Sequence, residues 1–194
     1  MHPLRAYLLR FVPDLTDADW HPLEQALRPH HLRRGEHLLQ AGESWPVLGL
    51  LLHGTCRLYY PRPDGEERTT YFFFENHLLG DYAGCLTGQP SRLSIQALVD
   101  TELVVFDYAV LRQLYQDRPV YERFGRLLAE YHLLGTDARL VEQLLLSPEE
   151  RYRALLISGK TKILERIPQH LLANYLGITP VSLSRIRGRV ARGH

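Results

Sequence analysis

The chain has 194 residues, 45% of them apolar, and a formal charge of +1, which is enough for one large domain or two small ones and excludes a disordered or collagen-like chain. Its longest apolar runs, such as Val47 to Leu52, are far too short to cross a bilayer, and residues 1–12 carry no signal-peptide pattern. Two cysteines, Cys56 and Cys85, are too few for a disulfide scaffold, a paired zinc site or a four-thiolate cluster. The expectation is a cytoplasmic protein with reduced thiols and no membrane partner.

Residues 4–11 and 16–28 read as short helices. The second opens on Thr16, an N-cap, and an acidic first turn, then places Trp20, Leu23 and Leu27 on one face. From His31 the pattern changes to short apolar runs broken by turns. Val47 to Leu52 reads as a buried strand, and Thr55 to Tyr60 and Arg68 to Phe74 as two more, joined by the hairpin signal Pro61-Arg62-Pro63-Asp64-Gly65. Arg92 to Val99 and Glu102 to Asp107 flank a turn at Asp100-Thr101. Short strands at this spacing imply a compact β sandwich or roll.

After Tyr108 the pattern is helical. Phe124, Leu127, Tyr131, Leu134, Ala138, Val141 and Leu145 repeat at gaps of three and four, a heptad seam that favours a second helix as partner. Leu128, Leu140 and Leu144 form a second stripe suited to packing on the strands. Two apolar faces on one helix argue for two partners, so a homodimer through 121–146 is expected. Ser147-Pro148-Glu149-Glu150 then caps a new helix.

The charge is uneven. Residues 151–194 hold nine basic side chains and one acid, giving +8, while residues 1–150 hold 14 arginines and 21 acids, giving −7. Such polarity suits a tail that meets a polyanion. Within that tail Pro168 opens a two-turn helix and Ala173 is small where a second helix must cross. Gly177 ends the first helix, Thr179 caps the next and Pro180 takes its first position. Leu172, Leu176, Ile178, Leu183 and Ile186 supply a shared core. This is the pattern of a helix-turn-helix, whose second helix enters the major groove of double-stranded DNA. The candidate DNA contacts are Gln169, then Thr179, Ser182 and Arg185 pointing outward from the second helix, with Arg187 and Arg189 near phosphates.

Taken together these motifs resemble the Crp/Fnr family of bacterial regulators over nearly the whole chain. The glycine rhythm Gly35, Gly42, Gly54 is similar to that family's β-roll, and Gly80-Asp81 through Gly88-Gln89-Pro90-Ser91-Arg92 sits where the family has its phosphate-binding cassette. The resemblance implies an α+β chain with an N-terminal double-stranded, jelly-roll-like β-roll over 1–120. A dimerisation helix over 121–146 and a helix-turn-helix domain over 147–194 would follow. It also implies a ligand pocket of Gly80, Asp81, Tyr82, Ser91 and Arg92, with Thr136 of the long helix beside it.

The departures shape the functional reading. Cyclic-nucleotide binders of the family carry Glu where this chain has Asp81, and Arg where it has Ser91. Strand alternation turns the neighbouring Arg92 away from the pocket. A cyclic phosphate in an apolar pocket needs a cation, so the expectation is no cofactor: cyclic AMP and other cyclic nucleotides are disfavoured, and an unknown small-molecule effector has room. The family's Arg and Glu at the start of the recognition helix are replaced by Pro180 and Val181, and its β-wing is absent or reduced to Arg187–His194. No P-loop, dinucleotide loop, paired-histidine motif or nucleophile elbow points to an enzyme. The leading reading is a homodimeric, sequence-specific DNA-binding transcription regulator with a degenerate sensor pocket. The alternative is a sensor or interaction module with a vestigial DNA-binding tail.

Overall fold

A computed structural model describes residues 1–192. Two helices, α1 (Pro3–Leu9) and α2 (Asp17–Gln25), precede eight strands. These are β1 (Arg28–Leu32), β2 (His37–Leu39), β3 (Val47–His53), β4 (Cys56–Pro61), β5 (Glu67–Phe73), β6 (Leu78–Leu79), β7 (Ser94–Ala97) and β8 (Thr101–Asp107). A short helix, α3 (Tyr82–Thr87), lies between β6 and β7. Then come α4 (Tyr108–Asp117), the 27-residue α5 (Pro119–Leu145), α6 (Pro148–Ile157), α7 (Thr161–Arg166), α8 (Gln169–Leu176) and α9 (Pro180–Ala191). The strands form two antiparallel four-stranded sheets, ordered β1-β8-β3-β6 and β2-β7-β4-β5. The expected β-roll, long helix and C-terminal helices are all present. Strands β1 and β6 and helices α3 and α7 escaped the sequence reading: β6 is only two residues long, β1 is interrupted by Pro29 and two histidines, and α3 is a six-residue helix within the cassette.

Alternation within the strands explains the layers. In β3, Leu48 and Leu50 face the helices α1, α2, α4 and α5, while Val47 and Leu51 face the interior between the sheets. In β8, Val104 and Phe106 join the first core, and Leu103 and Val105 the second. Both strands are therefore buried on two faces, which is why β3 reads as an unbroken apolar run rather than an alternating one. Strand β5 extends the stack. Phe73 points into the roll, whereas Phe72 and the following Phe74 point outward and join the core of the C-terminal helices. The Phe72 ring meets Tyr175 of α8 at 5.3 Å. Each buried phenylalanine contributes about 2–3 kcal/mol of burial free energy, so the roll and the tail share a core through one strand.

Helix α5 starts against the roll and then leaves it. Tyr121, Phe124 and Leu128 are buried on the N-terminal helices and α4. Beyond Leu128 the apolar side chains are bare: Tyr131 is 55% exposed, Leu134 69%, Leu144 73% and Leu145 76%. The second stripe was expected to pack on the strands. Only Leu128 does so, because the roll ends there, and Leu140 and Leu144 lie exposed with the seam. The seam itself begins one turn late, since Phe124 is spent on the chain's own core.

Candidate nucleic-acid interface and sensor pocket

Helices α8 and α9 form the expected helix-turn-helix. Ala173 is fully buried at the crossing, and Leu172, Leu176, Leu183 and Ile186 close the core around it, with Ile178 partly buried. Gly177 adopts φ 77°, the left-handed cap that a side chain resists. The Ile178 N–H then donates to the Ala173 carbonyl at 3.0 Å. Thr179 accepts from the Ser182 N–H at 3.2 Å, and the two hydroxyls lie 3.0 Å apart, so both side chains are engaged in capping α9.

The outer face of α9 carries Val181, 61% exposed, and Arg185 four residues on, hence on the same side of the helix. Among the described residues Arg185 has no hydrogen bond or ion pair, and its guanidinium is free to reach outward. The other arginines are held. Arg187 donates to Gln169 Oε1 at 2.6 Å. Arg189 donates twice to Glu149 Oε2, at 3.0 and 2.5 Å, and Glu149 also accepts from Arg153. Hydrogen bonds from Arg189 and Arg153 pull the Glu149 carboxyl below its ordinary value. Of the two expectations for the wing, absent or reduced to Arg187–His194, the described residues fit the first: α9 stays helical to Ala191, and residues 193–194 lie outside the described part.

The tail is fastened to the rest of the chain at the C-terminal end of α8. Asn174 accepts from the Thr69 N–H at 2.7 Å and donates to the Glu67 carbonyl at 2.7 Å, pairing with the free edge of β5. Arg139 of α5 donates to the Tyr175 carbonyl at 2.6 Å and stacks 3.8 Å over the Tyr175 ring. Arg151 of α6 donates to the Leu176 carbonyl at 3.0 Å. Cations at the negative end of a helix are favourable. None of these partners was singled out from sequence, because each pairing joins residues tens of positions apart and leaves no periodic trace.

The sensor-pocket residues are only partly gathered. Gly80 sits with φ 148° where a side chain would strike the Val47 carbonyl at 2.7 Å. Asp81 is buried and caps α3 by accepting from the Gly84 N–H at 2.9 Å. Ser91 is buried, its hydroxyl donating to the Leu93 carbonyl at 2.9 Å, while its backbone pairs with Gly42 and Glu43. Asp81 and Ser91 line one small cavity of about 70 Å³ together with Trp45 and Gln89. Tyr82 turns away from it, stacking on His132 of α5 at 6.0 Å and meeting Tyr108 edge-on. Thr136 is exposed on the free part of α5 and does not line this cavity. Arg92 corrects the strand-alternation argument: β7 begins only at Ser94, so Arg92 sits in a bend. It is exposed, and its charge reaches Tyr60, whose hydroxyl burial raises, with Asp81 adding to the rise and Arg92 opposing it. Trp45 and Gln89 were missed as pocket residues, although the turns that carry them, Gly42-Glu43 and Gly88-Gln89, were legible.

The surroundings of both cysteines disfavour the thiolate form. Burial pushes Cys56 up to about 12 and Cys85 up to about 11. Among the described residues no helix is long and apolar enough to cross a membrane.

Comparison with known proteins fits this architecture. Residues 29–118 match the family model of the cyclic nucleotide-binding domain. The fumarate and nitrate reduction regulatory protein of Vibrio cholerae is 26% identical over 188 residues, covering 90% of this chain and 74% of that protein. The structure of FixK2 from Bradyrhizobium japonicum superposes with a TM-score of 0.74 at 17% identity, over 86% of this chain and 85% of that one. A transcriptional regulator of the Crp/Fnr family from Eubacterium rectale gives 0.73 at 20% identity, over 93% and 86%. The class is thus a cyclic nucleotide-binding domain joined by a long helix to a helix-turn-helix. Over nearly its whole length the chain is similar to a curated regulatory protein and to a solved regulator of the Crp/Fnr family, in keeping with the resemblance its motifs carry.

Proposed function

We propose that the chain is a homodimeric, sequence-specific DNA-binding transcription regulator of the cytoplasm whose cassette pocket does not take a cyclic nucleotide. The observation that carries this is the exposed face of α9, where Arg185 stands free beside Val181 while the surrounding arginines are tied to the protein. A guanidinium suits the paired acceptors of guanine, and exposed valine methyls suit the methyl of thymine. The bare heptad face of α5 supports a second copy as partner, since a contiguous apolar stripe of this size is costly in water.

A parallel pair of α5 helices would carry two copies of α9 into successive major grooves, so the operator should be pseudo-palindromic with half-sites about 34 Å apart. The pocket reading rests on Asp81 serving as a helix cap, on Ser91 spending its hydroxyl locally, and on a cavity of about 70 Å³. Ligand sites usually enclose several hundred cubic ångströms.

Selection of genomic fragments by the purified chain, followed by mobility shift at about 0.15 M salt, tests the reading. An enriched two-fold motif is expected. Arg185→Ala should cost about 1–3 kcal/mol on that motif and relax preference at one position, while Arg189→Ala should weaken all sequences alike and lower the salt slope. No enriched motif, with the two variants behaving identically, would instead favour a sensor module whose tail no longer reads DNA.

A further inference from the structure

The larger of the two cavities described for this chain is not at the cassette. It measures about 490 Å³, against about 70 Å³ there, and it opens where the roll meets the tail. That volume lies within the ordinary range for small-molecule sites. The roll supplies Leu98 and Val99 from the turn between β7 and β8, His53 from the end of β3, and Arg34 from the turn between β1 and β2. The tail supplies Arg166, the last residue of α7, and Pro168, which caps α8. Neither body makes this crevice alone.

Its chemistry is that of an apolar floor with cations at the rim. Leu98, Val99 and Pro168 provide the floor, and Val99 is 45% exposed with nothing packed over it. Arg34 is anchored through its backbone, whose N–H donates to Asp100 at 2.9 Å. Its guanidinium has no partner among the described residues. Across the crevice Arg166 donates to Glu75 at 2.6 Å, and Lys162 donates to the same carboxylate at 2.8 Å. Three cations, Arg34, Lys162 and Arg166, thus stand against two acids, Glu75 and Asp100, and the Arg34 guanidinium is the one left without a side-chain partner beside the apolar surface.

We propose that this crevice binds a small organic anion, an apolar body bearing a carboxylate or phosphate, as the effector of the regulator. The anionic head sits between Arg34 and Arg166, and the body covers Leu98, Val99 and Pro168. Arg166 is then shared between the ligand and Glu75, so occupancy alters the tie that holds α7 to the roll. Pro168 adjoins the first helix of the helix-turn-helix, and the ligand touches it directly. A ligand that binds the two arrangements of roll and tail unequally shifts DNA affinity, and DNA shifts ligand affinity by the same factor. This coupling rests on the DNA-binding reading above, while the site itself does not. A duplex backbone could bring phosphate to Arg34, but it offers no apolar body to cover the floor.

Phenyl phosphate is a suitable probe, with phenol and inorganic phosphate as its two halves, followed by ligand-observed NMR and calorimetry on the full chain. Saturable binding at one site per chain is expected, tighter for phenyl phosphate than for either half. Arg34→Ala should weaken it at least tenfold. Val99→Trp, which fills the floor from an exposed turn, should remove it. Gln89→Trp, which fills the cassette cavity, should leave it unchanged. On a selected duplex, saturating phenyl phosphate should change affinity at least threefold for the native chain and not at all for Val99→Trp. Absence of binding, binding insensitive to Arg34→Ala and Val99→Trp, or binding lost only in Gln89→Trp overturns the proposal. So does an Arg34→Ala variant that loses DNA affinity while phenyl phosphate fails to bind, which would make the crevice a backbone contact. Arg34-dependent binding by a chain that binds no duplex upholds the site and removes the DNA reading instead.

Discussion

Asn174 gives the edge of β5 what a neighbouring strand would give it, one acceptor for the Thr69 N–H and one donor for the Glu67 carbonyl. An open sheet edge is a template for unwanted pairing, and covering it is one of the ways a fold avoids that. Glu75, just past the same strand, makes the second tie to the tail. Burial would raise its carboxyl, but hydrogen bonds from Lys162 and Arg166 outweigh that and hold it down at about 2. A carboxyl whose folded pKa lies below its unfolded one stabilises the fold above the unfolded value, near 4.5, and loses that contribution as pH falls toward 2. The side chains of Lys162 and Arg166 are both more than 40% exposed, so solvent screens the pair. Glu75→Gln should therefore destabilise by about 1–2 kcal/mol at pH 7, and the deficit should fade between about pH 5 and pH 2. Urea denaturation of both proteins at pH 7 and at pH 3 reads this directly, and a deficit of equal size at both pH values would show that Glu75 acts by shape and not by charge. Residues of this kind were invisible in the sequence. Glu75 stands 87 positions from Lys162 and 91 from Arg166, whereas Thr179 and Gly177 declared themselves because a cap and its helix are neighbours in the chain.

Among the elements, α5 was the most legible and also the one most altered by context. Its heptad seam stands out at Tyr131, Leu134, Val141 and Leu145, all exposed. The pattern could not say where the roll ends, and so could not say that Phe124 belongs to the chain's own core and Leu140 and Leu144 to the bare face. Strands β3, β4, β5 and β8 were readable from their apolar runs and turn signals, since burial on one or two faces writes directly into residue choice. The bend at Arg92 was not, because a two-residue shift in where β7 begins moves a side chain off the alternating pattern altogether. For α5 the expected behaviour is strong association. Leu134→Glu places a carboxylate in the seam and should weaken the dimer by about 3 kcal/mol or more, over a hundredfold in dissociation constant. Sedimentation equilibrium on the native and variant chains measures it. A native chain that is monomeric at micromolar concentration would remove the dimer from the account.

On the scale of the whole molecule, four layers follow one another: N-terminal and long helices, first sheet, second sheet, and the helical tail docked on the outer side of β5. The cassette lies at a small cavity within this stack, and cyclic AMP is expected to show no saturable binding by calorimetry. A micromolar dissociation constant, which needs about 8 kcal/mol of binding free energy, would require the Ser91 turn and the Asp81 cap to open. The charge asymmetry places +8 on residues 151–194 against −7 on residues 1–150, which would draw a polyanion to the tail and away from the roll. Two chains joined along α5 would present that tail twice with two-fold symmetry. The measurement that tests this most directly is native mass spectrometry of the full chain with a duplex chosen by fragment selection. The account predicts a complex of two chains on one duplex at micromolar concentration, reduced by Arg185→Ala and by Leu134→Glu. A complex of one chain per duplex, or none under conditions where the chain is folded, would contradict it.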